Sequence, residues 1–154
     1  MRQYNPKTEP NRDEASLASI SSANKLQEIP VKVLVADSDT NVCDSLRNLL
    51  SSLENVSVEC FCDAQSLLDY KFDTDVACLV AEVDLPDISG VEVLEQLNDR
   101  GIYIPTIILA ACSDVPTAVR AMQAKAVDFI EKPFVEGLML KRIKQILQQK
   151  MEAV

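Results

Sequence analysis

At three places in the chain an apolar run gives way to a loop that carries charge. The run VKVLVA at 31–36 leads into Asp37-Ser38-Asp39. The run VACLVA at 76–81 leads into Glu82-Val83-Asp84, and DFIE at 128–131 leads into Lys132-Pro133-Phe134. Brought together, these acids and the lysine would form a compact charge cluster. Such a cluster can hold Mg²⁺, which wants about six hard oxygens in tight octahedral geometry, or it can stabilise a phosphoryl group. The acid after the middle run is a glutamate, and its length bears on what it can do.

For these residues to meet, their runs must be neighbouring strands with carboxyl ends on one edge. The patterning predicts this. Strand β1 covers 31–36, followed by helix α1, in which Val42, Leu46, Leu49, Leu50 and Leu53 recur at helical spacing. VSVECF (56–61) reads as β2, and Asp63 caps a short α2 through Leu67 and Leu68. VACLVA (76–81) is β3, and α3 carries Val91, Leu94 and Leu97 and ends near Gly101. PTIILAA (105–111) is β4, and α4 (115–127) sets Val115, Ala118, Val119 and Met122 on one face. DFIE (128–131) is β5, and α5 runs from about 135 to 151. Apolar strands alternating with helices mean a parallel sheet covered on both sides. The expected class is α/β, a flavodoxin-like (βα)5 doubly wound five-stranded sheet of order 2-1-3-4-5. Ligands in such sheets bind at the strand carboxyl ends, near the switch between β1 and β3.

The chain of 154 residues is expected to hold one domain, at 30–152, behind a polar tail at 1–29. In that tail Leu17 and Ile20 stand at helical spacing after Asp13, a plausible N-cap; a short docking helix and a disordered leader both fit. A net charge of −9 argues against nucleic-acid binding, which wants a basic face. The longest apolar runs are too short to span a bilayer, and the N-terminus lacks a signal-peptide core, so a cytoplasmic protein is expected. Cys43, Cys60, Cys62, Cys78 and Cys112 are expected to be reduced thiols packed as small hydrophobes. With no histidine and no second cysteine pair at ligand spacing, a zinc site is not expected.

LPDISGVEVLEQL (85–97) and DVPTAVRAMQAKAVDFIEKPF (114–134), with the strand-end residues, resemble the response-regulator receiver domain of two-component signalling, and its FixJ-like subfamily in particular. The resemblance covers residues 31 to about 150. It implies an aspartate at the end of β3 that takes a phosphoryl group, and two adjacent acids after β1 that bind Mg²⁺. It also implies a hydroxyl at the end of β4, a lysine before proline after β5, and an aromatic residue on β5 that turns inward on activation. Carried over, the phosphoacceptor position is Glu82 and the acid pair is Ala36-Asp37. The hydroxyl position is Ala110, followed by the small Ala111. The lysine is Lys132, and the aromatic is Phe129. Lys125 stands where the turn before β5 carries glycine. If that turn needs a positive φ, the change costs roughly 1 kcal/mol.

Glutamate moves the carboxylate outward by about 1.5 Å. Misplacement on that scale can cost in-line attack on phosphorus about 100-fold. Glu82 can instead pair with Lys132, either as a built-in mimic of the phosphorylated state or as an inert pair of satisfied charges. Asp37 is left as a remnant metal ligand, with Asp84 or Asp39 as replacement oxygens, so no cofactor beyond weak Mg²⁺ is expected. Ala110 leaves space for the Phe129 ring to turn inward; an ordinary ring on an edge strand fits as well. The α4–β5–α5 face carries Arg120, Gln123, Lys125, Asp128, Glu131, Lys141 and Lys144. In receivers this surface makes dimers and partner contacts.

FixJ-like proteins carry a C-terminal helix-turn-helix, whereas this chain stops four residues after Lys150. The expectation is a stand-alone atypical receiver, not an enzyme. It would act by contact with a sensor histidine kinase, another regulator or a second copy of itself. The alternatives are a Mg²⁺-dependent phosphoacceptor and the receiver fragment of a longer FixJ-like transcription regulator.

Overall fold

Runs rich in valine, isoleucine and leucine form strands where both sheet faces will be covered. In the computed structural model, which describes residues 29–152, five runs do so. They are β1 (Val31–Ala36), β2 (Val56–Phe61), β3 (Val76–Glu82), β4 (Thr106–Ala110) and β5 (Asp128–Glu131). All pair in parallel, in the order β2-β1-β3-β4-β5, as the sequence predicts. Central β3 is buried along its whole length and runs one residue further than 76–81, taking in Glu82. β4 is one residue shorter at each end than 105–111. The helix expected around Leu17 and Ile20 lies outside the described residues.

The helices are α1 (Thr40–Leu50), α2 (Ala64–Leu68), α3 (Gly90–Asp99), α4 (Val115–Gln123) and α5 (Glu136–Glu152). A side-chain oxygen opens each of the first four by accepting an orphan backbone N–H. Asp39 accepts from Asn41, Asp63 from Ser66, Ser89 from Val91 and Asp114 from Thr117. Such a cap contributes about 1 kcal/mol. On one sheet face Leu46 and Leu50 of α1 and Met139, Ile143 and Ile146 of α5 pack against Val33, Val35, Val80 and Leu109. On the other, Leu67, Leu94, Leu97 and Ala121 of α2, α3 and α4 cover Leu34, Leu79 and Ile108.

Three sequence expectations need correction. First, α4 ends at Gln123 rather than near 127. The chain leaves it through Lys125 at φ 69°, with Lys125 N–H donating to Met122 O and Ala126 N–H to Ala121 O. This is the two-bond helix stop that usually places glycine at the left-handed residue. α3 ends the same way on Gly101, at φ 74°. The face of Val115, Val119 and Met122 also turns outward, leaving these residues 75%, 48% and 53% exposed. Ala121, Ala124 and Ala126 are the buried residues there, because small side chains let the helix lie close to the sheet.

Second, Lys144 does not belong to the α4–β5–α5 face. It lines a surface recess with Ser52, Leu53 and Glu54 beyond the end of α1, whereas Lys141 lines the groove along β5 with Asp128 and Glu131. A step of three residues on α5 turns the side chain away by about one sixth of a circle. Third, the five cysteines are not all single thiols. Cys43 on α1 and Cys60 on β2 form a disulfide pair, while Cys62, Cys78 and Cys112 are free.

Candidate functional site

The sheet register brings the charged strand ends together. Ala36 lies beside Ala81, Glu82 beside Leu109, and Ala110 beside Glu131, so the residues that follow β1, β3 and β5 gather at one edge. Gly90 lets α3 start directly against this edge: a Cβ there would lie 2.1 Å from the Glu82 carbonyl oxygen.

At that edge Lys132 stands between two carboxylates. Its Nζ is 3.0 Å from Glu82 Oε1 and 2.8 Å from Asp37 Oδ2. The Glu82 contact is an aligned hydrogen bond. The Asp37 contact is an ion pair, and Oδ2 receives no aligned donor. The other Asp37 oxygen accepts from Asp39 N–H at 2.8 Å. Glu82 Oε2 accepts from both the backbone N–H and the hydroxyl of Ser38, each at 2.9 Å. Asp37 and Glu82 are only 3% and 6% exposed, so these charges depend on one another rather than on water.

The environment separates the two acids. Burial pushes the Asp37 carboxyl above the ordinary carboxylate range, and Lys132 and the Asp39 N–H offset this only in part. Burial pushes Glu82 upward too, but the Ser38 N–H, Lys132 and the Ser38 hydroxyl outweigh it and hold Glu82 below its ordinary value. Burial would lower the Lys132 ammonium, yet Asp37 and Glu82 together keep it above the usual lysine range. A proton entering the cluster therefore goes to Asp37 first.

Ser38 is the participant that sequence reasoning missed. Its signal was its place directly after Asp37 in the loop facing the end of β3. Asp39, weighed as a metal oxygen, is instead spent as the α1 cap. Asp84 is exposed in the loop after β3 and takes no part in the network. Phe129 is half-buried and packs against the core cluster on the α2–α4 side, next to Ile108 in register. A shallow recess of about 420 Å³ reaches Lys132, Ala111 and Phe134 but neither buried carboxylate.

Residues 33–144 match the response regulator receiver domain family. The chain belongs to that family. This receiver is 37% identical over 116 residues to the response regulator protein TodT of Pseudomonas putida, covering 75% of this chain and 51% of TodT. It is 36% identical over 126 residues to the transcriptional regulatory protein FixJ of Azorhizobium caulinodans, covering 82% of this chain and 58% of that protein. The chain thus spans about half the length of these curated relatives. Among solved structures, a response regulator receiver protein from Pseudoalteromonas atlantica matches with a TM-score of 0.72 and 39% identity, covering 77% of this chain and 98% of that one. The FixJ-N crystal structure matches with a TM-score of 0.64 and 35% identity, covering 77% and 94%. The chain is a receiver domain of two-component signalling. No helix among the described residues is long and apolar enough to cross a membrane.

Receivers generally bind Mg²⁺ at the phosphorylation site, and the donor set here fits that ion poorly. Among the described residues no three acids or cysteines stand close enough to hold a metal. The two carboxylates that converge already share an ammonium, and only Asp37 Oδ2 lacks an aligned donor. Mg²⁺ would have to displace Lys132 and keep most of its own water.

Proposed function

We propose that this receiver works without aspartyl phosphorylation, through contact with protein partners. The observation that carries the reading is the closed cluster of Ser38, Asp37, Glu82 and Lys132. Both Glu82 oxygens are engaged, one by Lys132 and one twice by Ser38, and Lys132 is also held by Asp37. The lysine that would neutralise an incoming phosphoryl group is already neutralised. Glu82 takes the degenerate phosphoacceptor position, Ala110 supplies no hydroxyl, and Asp37 with Asp84 offers at most weak Mg²⁺ binding. Ala110 and Phe129 are the remaining switch positions.

The partner is a sensor histidine kinase or another regulator in the cytoplasm, or a second copy of this chain. The contact surface is the α4–β5–α5 face. Its polar side chains divide into two groups. Arg120 is tied to Glu95 of α3, and Asp128 to Arg142 at 3.3 Å. Gln123, Lys125, Glu131 and Lys141 are exposed around the apolar Val115, Val119 and Met122. Exposed apolar side chains rimmed by polar ones suit a protein partner rather than nucleic acid.

The test is incubation with Mg²⁺ and a small phosphodonor, followed by intact-mass measurement. Ala36 is fully buried in the apolar core, so the restored control places the second acid at Ser38, which faces Glu82: Ser38→Asp/Glu82→Asp/Ala110→Thr. The natural chain is expected to gain no phosphoryl mass while the variant gains one. A phosphoryl adduct on the natural chain overturns the reading.

A further inference from the structure

The Cys43–Cys60 pair lies outside the cluster described above. Its Cα atoms are 6.2 Å apart, inside the roughly 4.4–6.8 Å range that disulfides adopt. Arg47 Nη2 stands 3.5 Å from Cys60 Sγ. Cys43 and Arg47 are one helical turn apart on α1, so both address β2 together. The only ion pair of Arg47 among the described residues is an exposed 3.9 Å contact with Asp44, which leaves its charge largely available to the sulfur.

We infer that Cys43 and Cys60 form a thiol–disulfide exchange site for low-molecular-weight disulfides of the glutathione class, and that its oxidation latches α1 onto β2. Cys60 is half-exposed and faces a guanidinium, the setting that favours a reactive thiolate. Cys43 is 7% exposed and follows as the resolving thiol. In the first step the Cys60 thiolate attacks one sulfur of glutathione disulfide. The glutathione S–S bond breaks, a mixed disulfide forms on Cys60, and one glutathione thiolate leaves. Cys43 then gives its proton to solvent and attacks the Cys60 sulfur. The mixed disulfide breaks and the second glutathione thiolate leaves. The protein loses two electrons and two protons, and glutathione disulfide becomes two glutathiones.

The other cysteines lack this arrangement. Cys78 is buried, and burial pushes its thiol up to about 12, which keeps it inert. Cys62 and Cys112 are exposed and free, so exchange there stops at a mixed disulfide. The latch also reaches the cluster. α1 begins at the Asp39 cap, directly after Asp37 and Ser38, so clamping the first turns of α1 restrains the loop that holds Glu82.

The test equilibrates the reduced full chain in reduced and oxidised glutathione at graded ratios. Thiols are trapped by alkylation, and the cysteine peptides are mapped by mass. The Cys43–Cys60 cross-link is expected to rise with the oxidised fraction, while Cys62 and Cys112 carry glutathione. Cys43→Ser should stop Cys60 at the mixed disulfide. Arg47→Gln should slow Cys60 modification about threefold and leave Cys62 unchanged. Circular dichroism confirms that both variants are folded. Amide exchange at Ser38 and Asp39 should slow in the oxidised chain. The site is overturned if Cys43 and Cys60 stay alkylatable once Cys62 is fully modified, or if Arg47→Gln changes nothing at Cys60. Equal exchange at Ser38 in both redox states overturns the latch.

Discussion

Replacing Lys132 by methionine removes the ammonium that two buried carboxylates share. The side chains of Asp37 and Glu82 are 0% and 8% exposed, and that of Lys132 is 16% exposed. Removing one partner of a buried ion pair costs about 3–5 kcal/mol, and the partial exposure of Lys132 places this case near 3. Glu82 keeps both Ser38 donors, so most of the cost falls on Asp37, whose Oδ2 has no other partner. With a urea slope of about 1.5 kcal/mol per M, the unfolding midpoint at neutral pH should drop by about 2 M. The pH dependence has a definite sign. Asp37 is already raised by burial, and the loss of Lys132 raises it further. The folded variant therefore takes up a proton before the unfolded chain does and gains stability relative to wild type as pH falls below neutral. The gap between the two midpoints should narrow steadily as the solution is made more acidic. Adding Asp37→Asn should recover much of the loss. A neutral-pH drop of less than about 0.5 M, or a gap that does not change with pH, would mean that water screens this lysine and that the cluster is not the closed unit described above.

Other perturbations test the supports of the cluster. Ser38→Ala removes one of the two Ser38 donors to Glu82, so the Glu82 carboxyl, followed by carbon-detected NMR titration, should rise toward its ordinary value; an unmoved titration would discount the serine hydroxyl. Gly90→Ala puts a methyl 2.1 Å from the Glu82 carbonyl oxygen and should cost about 3 kcal/mol in urea unfolding as α3 is pushed off the sheet edge. Lys125→Gly relieves a left-handed residue at φ 69° and should stabilise the fold by about 1 kcal/mol, seen as a higher melting temperature. Asp87 accepts from the N–H groups of Ala64 and Gln65 at the start of α2, which holds its carboxyl below the usual range. A depressed acid contributes stability above its unfolded pKa of about 3.9 and loses it as pH falls through the folded value, so wild type and Asp87→Asn should converge in acid and differ at neutral pH.

Much of the fold was legible because the patterns are strong and local. Buried parallel strands must be apolar on both faces, and VKVLVA, VACLVA and TIILA are nearly so. The helix ends were less legible. The 115–127 pattern of α4 has its one proline, Pro116, at its start and no glycine at its end, and its termination rests on Lys125 adopting a conformation that lysine resists. Its large apolar residues also marked a face, but alanines decided which face is buried. At the site, the residue types at positions 37, 82 and 132 announced a charge cluster. Ser38 was silent, because a serine beside an aspartate is unremarkable until the end of β3 is placed against it.

Sequence alone determined the class of this protein: five alternating strands and helices, an acid after β1, a glutamate at the end of β3, and a lysine after β5. These follow from periodicity and residue chemistry, which act over a few neighbouring positions. Tertiary structure decided which charges meet. Whether Lys132 faces Glu82, Asp37 or both, whether Cys43 reaches Cys60, and where Asp39 spends its oxygen depend on distances between residues up to 95 positions apart (Asp37 to Lys132). Such distances are set by strand register and by how closely small side chains let the helices approach the sheet, and no local pattern encodes either one.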